Sequence, residues 1–197
     1  MEAKLLHPIS AICQRDDFKS MLKENIQHIR EKLDFSLQKR KMTEVFGWDP
    51  DIVLEMEDLY IKFLALHKTL WSFGQSFTII PNRIIDEFWH AHILDTAKYM
   101  DDCNKIFGSY FHHFPYYGMI DEEDRKNWYS HAEVCQNIWE DLFNEKLYDE
   151  LTEDSDGYSM DKEFYGKLSQ LYKEEREICT MGYARCRTTC KPMNCPR

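Results

Sequence analysis

The chain has 197 residues, 35 acidic against 25 basic for a formal charge of −10, is 14% aromatic, and holds seven glycines and six prolines. That charge balance argues against general binding to a phosphate backbone, which needs clustered Lys and Arg, so nucleic acid is not expected as a partner. Many short strands would need frequent Gly and Pro turns, so the expectation is an all-α fold: a compact single-domain helical bundle, long enough to bury a core without disulfides.

The first residues, MEAKLLHPISAICQRDD, lack the basic stretch, apolar run and small-residue cleavage site of a secretory signal. No apolar run reaches the ~18 residues a membrane span requires. The seven cysteines, at 13, 103, 135, 179, 186, 190 and 195, then read as buried thiols or metal ligands in a cytoplasmic protein rather than as disulfides. Unconventional secretion, as for a bacterial effector, would leave no mark in this sequence.

From Asp16 to about Lys41, Phe18, Leu22, Ile26, Ile29 and Leu33 recur at helical spacing, with His28 off the stripe. A second helix starts where Asp49 caps and Pro50 occupies the first turn, and its stripe of Val53, Met56, Tyr60, Phe63 and His67 turns His67 toward the core. Gly74 and Pro81 break the pattern, after which Asn82 caps a motif helix expected to run, central and buried, to about Phe107 with Trp89, Ile93 and Met100 on its flank. An aromatic loop follows, and Asp121 caps a helix with Trp128, Ala132, Cys135, Trp139 and Leu142 on one face and His131 at its edge. TEDSDG reads as a turn before a last helix from about Asp161 to Glu177. The domain expected from these elements spans 1–178, with its motif core at about 50–145 and a basic, cysteine-rich tail at 179–197.

Residues 84–114, IIDEFWHAHILDTAKYMDDCNKIFGSYFHHF, hold four histidines, four aspartates and a cysteine among bulky apolar residues. Buried imidazoles and carboxylates need hydrogen bonds, ion pairs or a metal. A rotation of 100° per residue sends His90 and His92 to opposite sides of a regular helix, so they cannot clip one ion together. Two sub-sites result. Asp86 and His90 are four residues apart and pair on one side; His92, Tyr99 and Cys103 stack on the other; His112 and His113 can reach either. The candidate ligands are Asp86, His90, His92, Cys103, His112 and His113, for a transition metal such as zinc or iron, since His is the commonest metal ligand. The alternative is a set of satisfied core histidines.

The same residues carry a resemblance. Asp86, Trp89, His90, His92, Tyr99, Asp102, Cys103, Gly108 and His113 follow, in order and spacing, the motif region of the glycine-rich-domain-containing-protein-like family of plants and many bacteria. The resemblance extends more loosely over about 50–145 and implies a shared site without naming an activity. The glycine-rich extension of the plant members does not occur in this sequence, so no nucleic-acid role is carried over from them.

The tail, CTMGYARCRTTCKPMNCPR, has four basic residues and no acidic one, leaving −14 on the rest of the chain. Its cysteines follow C-x6-C-x3-C-x4-C, so Cys186, Cys190 and Cys195 join the candidate metal ligands, the alternative being incidental thiols in a terminal segment. Residues 152–163 have an EF-hand outline, but Thr152 replaces the first ligand, and a solvated acidic turn is the better reading.

Two functions remain open. One is a metal-binding protein, with metal-dependent catalysis on a small molecule included; no Gly-x-Ser-x-Gly, P-loop or His-Glu-x-x-His signature narrows the reaction. The other is a non-catalytic helical interaction module that engages a protein partner.

Overall fold

In the computed structural model the chain falls into two units, Met1–Asp161 and Lys162–Arg197, and the structure describes residues 7–148 and 151 of the first. Every regular element among the described residues is helical: α1 (Pro8–Cys13), α2 (Asp16–Lys32), α3 (Ser36–Arg40), α4 (Pro50–Ser72), α5 (Arg83–Ile93), α6 (Thr96–Phe107) and α7 (Glu122–Phe143). The fold is all-α. A π-turn at Lys41–Val45 extends α3. Among the described residues no helix is long and apolar enough to cross a membrane. The acidic turn, the helix expected from Asp161, the boundary at 178/179 and the tail lie outside the described residues.

Helix α4 is the spine. Asp49 accepts from the Asp51 N–H and Pro50 opens the first turn, so the start is fixed by local chemistry. Twelve of its residues are buried, including Tyr60, Phe63 and His67, because α2 packs on one side and α5 on another. Phe18, Leu22, Ile29 and Leu33 of the predicted stripe face that core. Full burial of each such side chain contributes about 1.5–3 kcal/mol before entropy is counted.

Two long predicted helices are interrupted. The first ends at Lys32 because Leu33 turns extended, and the Asp34 carboxylate accepts from the Ser36 N–H to start α3. The motif helix is also two helices. Asp95 leaves helical geometry at φ −87°, ψ 69°, and its side chain accepts from Gln38 Nε2 at 3.3 Å. An Asp-Thr pair favours a helix start over a helix interior, which outweighs the apolar periodicity running through it. The break changes which residues are covered. Trp89 is buried as expected, but Met100 is 56% exposed.

His67 shows how the core ties down the segment before α5. Its Nδ1–H donates to the Phe63 carbonyl at 3.0 Å, and its Nε2 accepts from the Ile79 N–H at 3.1 Å. Both partners have fixed roles, so the tautomer is fixed and the ring is neutral. Burial pushes its pKa down to about 4.

Candidate metal centre

Helix α5 starts at Asn82, whose side chain accepts from the Ile85 N–H at 2.8 Å. One turn on, Asp86 and His90 emerge on the side away from the core. His92 leaves the helix on the other side and is 2% exposed. The loop after α6 is brought back over α5 by a chain of aromatic contacts. Trp89 Nε1 donates to the Tyr99 hydroxyl at 2.8 Å, and that hydroxyl donates to the Phe111 carbonyl. Phe111 stacks on Trp89 with ring centroids 4.9 Å apart. Two residues later His113 meets the edge of Trp89 at 4.5 Å.

That placement brings His113 Nε2 to 2.8 Å from Asp86 Oδ1. His90 Nδ1 is 3.6 Å from Asp86 Oδ2, and the two imidazoles are 4.8 Å apart. One ligand atom from each of Asp86, His90 and His113 lies within 4.8 Å of the others, the one such group of three among the described residues. Two donors each ~2.1 Å from an ion are about 3.0 Å apart at a right angle and about 3.4 Å apart at a tetrahedral one. The two contacts to Asp86 are close to those values, while the group as a whole, spanning up to 4.8 Å, has to draw together to share a metal. The side chains are partly exposed, at 23% for Asp86, 46% for His90 and 13% for His113, so the group is open on one side.

The open side faces a cleft of about 850 Å³. Trp89, Phe111, Tyr117 and Trp128 supply apolar wall, and Arg83 and Arg125 supply cationic groups. His131 also lines the cleft. Its Nε2–H donates to the Thr78 carbonyl at 2.7 Å, and its Nδ1 accepts from the Tyr117 hydroxyl at 3.3 Å. Burial lowers its pKa, with the Thr78 carbonyl opposing the shift. The loop that brings Gly118 and Met119 to the cleft is held by Asp124, whose Oδ2 accepts from the Gly118 and Ile120 N–H groups.

The other candidates are elsewhere. His112 is exposed and lines the cleft outside the triad, its ring 4.8 Å from Tyr110. His92 lies in a sealed polar network: Nδ1 is 3.1 Å from the Tyr60 hydroxyl and Nε2 is 3.1 Å from Asp102 Oδ2. Lys98 and Lys105 also bond Asp102. Burial pushes the Asp102 carboxyl up, but those two lysines more than offset it, so it stays ionised. Burial pushes the His92 pKa down to about 4. Hydroxyl, imidazole and carboxylate in a row resemble a nucleophilic triad, yet Tyr60 is wholly buried and its pKa is raised well above the usual range by that burial. No substrate reaches it. Cys103 is buried on this core side and burial raises its thiol pKa. Cys186, Cys190 and Cys195 lie outside the described residues.

Sequence reasoning did not single out Arg83, Arg125 or Trp128 as cleft residues. The Trp128 and His131 spacing puts both on one face of α7, but nothing local says that this face meets the 77–80 segment before α5. No curated protein and no solved structure matches the chain significantly. Residues 49–146, which include all of α4 to α7 and hence the whole triad and cleft, match the UCP032817-like family.

Proposed function

We propose that the protein binds a divalent transition metal through Asp86, His90 and His113 and uses it on a small molecule held in the adjoining cleft. The observation that carries this is the convergence of a carboxylate and two imidazoles from a helix and a distant loop, within 4.8 Å and open to the cleft. Two His and one carboxylate with free positions suit iron(II), and three protein ligands with an open fourth suit catalytic zinc. Such an ion acts as a Lewis acid or lowers the pKa of a bound water. His113 Nε2–H donates to Asp86, so ligation through that nitrogen would use the ring's other neutral tautomer, with the proton on Nδ1. Common ancestry with the glycine-rich-domain-containing-protein-like proteins, and a cytoplasmic setting, belong to the same proposal. The burial of the unpaired Cys13, Cys103 and Cys135 supports the latter.

Cobalt(II) titration tests the ligand set. A site of nitrogen and oxygen donors gives visible d–d bands without the intense sulfur-to-cobalt charge-transfer band of a thiolate site, and Asp86→Asn should abolish those bands. Retention of the spectrum in that variant would reject the assignment.

A second reading has one observation behind it. Phe114, Tyr116, Met119 and Ile120 are each at least 60% exposed along one loop, an apolar surface that suits a protein partner. A non-catalytic interaction module would use this loop, with the Asp86 and His113 pair serving only to hold it.

A further inference from the structure

Among the described residues that line the cleft, Asp86 is the one carboxylate, whereas Arg83 and Arg125 bring two guanidinium groups, Arg83 already paired with Glu87. A divalent ion on the triad would make the lining net positive, in a chain of formal charge −10. Positive potential concentrated in an aromatic-walled hollow attracts an anion, and the planar fork of Arg matches a carboxylate.

The two arginines are not equivalent. Arg83 is paired with Glu87 at 2.5 Å. Arg125 is exposed, its charge acts on Glu122 one turn back without a salt bridge among the described residues, and it follows Asp124, the residue that locks the Gly118 and Ile120 backbone. Its backbone is therefore fixed while its guanidinium holds no hydrogen-bonded carboxylate among those residues. The aromatic wall sets a second requirement. Trp89, Phe111 and Trp128, each at most 5% exposed, form a packed apolar wall, and the volume of about 850 Å³ lies within the ~300–1,000 Å³ typical of small-molecule sites.

Deepening the metal reading and resting on it for the second contact, we infer that the cleft binds a small aromatic carboxylate. Arg125 holds the carboxylate, the Trp89, Phe111 and Trp128 wall takes the ring, and an oxygen next to the carboxylate faces the metal. No bond is made or broken in this binding step.

The test is calorimetric titration of the full-length, tag-free chain with phenylpyruvate, in zinc-loaded and chelator-stripped forms, with inorganic phosphate as a second probe. Zinc-loaded protein should bind one phenylpyruvate. Arg125→Ala should bind it roughly tenfold more weakly, as expected for loss of a charge-assisted contact. Arg125→Lys should recover part of that loss, and Lys126→Ala, on the exposed face of α7, should leave affinity unchanged. Phosphate binding as tight as that of phenylpyruvate would overturn the aromatic requirement. Equal affinities in the wild type and Arg125→Ala, or no binding to a protein that does take zinc at the triad, would overturn the inference and leave the metal reading standing. Arg125-dependent binding in a protein that takes up no zinc would support the carboxylate subsite and reject the metal reading instead.

Discussion

His113 Nε2 lies 2.8 Å from Asp86 Oδ1, closing a span of 27 residues between a loop and the first turns of α5. The donor position is occupied by a proton in this contact, because a carboxylate only accepts. A metal that takes this nitrogen leaves the ring neutral, with its proton on Nδ1, and replaces the contact to Asp86. His113→Ala should therefore weaken zinc binding, whereas His112→Ala, outside the triad, should leave it unchanged. Competition with a chromophoric chelator compares the two variants, and equal losses in both would contradict the assignment.

Stability should fall with acid. His67 and His92 have folded-state pKa values pushed down by burial to about 4, against about 6.5 in the unfolded chain. Between those values the unfolded chain takes up protons that the native state refuses, so stability rises with pH through this window and is lost as pH drops from about 6.5 toward about 4. Each ring accounts for about 3 kcal/mol by about pH 4. Urea midpoints should decline across that range. A midpoint constant from about pH 7 to about pH 4.5 would show that neither ring is held neutral.

Three helix starts were legible in the sequence because their causes are local. Asp49 with Pro50, Asn82 and Asp121 each cap the helix that follows. The opposite directions of His90 and His92 followed from helical rotation, and the Asp86 and His90 pairing from their spacing. The breaks at Asp34 and Asp95 were hidden inside runs of intact apolar periodicity, where a single polar residue decides the backbone. The choice of His113 over His112 was also hidden, since it depends on the Trp89, Tyr99 and Phe111 contacts that aim the loop. The partners of His92 came from two helices. Tyr60 of α4 and Asp102 of α6 meet it only after folding, whereas the sequence had paired it with Tyr99 and Cys103 alone.

Replacing His92 by Ala should destabilise the fold by roughly 2–4 kcal/mol, from the cavity and from the Tyr60 hydroxyl left without its partner. His28→Ala, off the core stripe of α2, should stay within about 0.5 kcal/mol. Chemical denaturation of both variants gives the comparison. Equal losses would mean that the His92 network contributes nothing special.

Gly118 has φ +85°, and a Cβ there would lie 2.8 Å from Trp128 Cγ. Both the backbone and the indole resist a side chain at this rim of the cleft. Gly118→Ala should cost roughly 2–4 kcal/mol, against about 1 kcal/mol for Gly108→Ala, which has φ +70° but open space around it. Thermal midpoints measure the difference, and equal shifts would show that Trp128 moves aside freely.

The most direct test of the metal centre is elemental analysis of full-length protein purified without a histidine tag, alongside Asp86→Asn and His113→Ala variants whose folding is verified by circular dichroism. The wild type should hold a stoichiometric transition metal and each variant one equivalent fewer, so any metal held by other cysteines or histidines does not obscure the result. A wild type free of transition metal after incubation with zinc and with iron(II), or variants that retain the full complement, would contradict it.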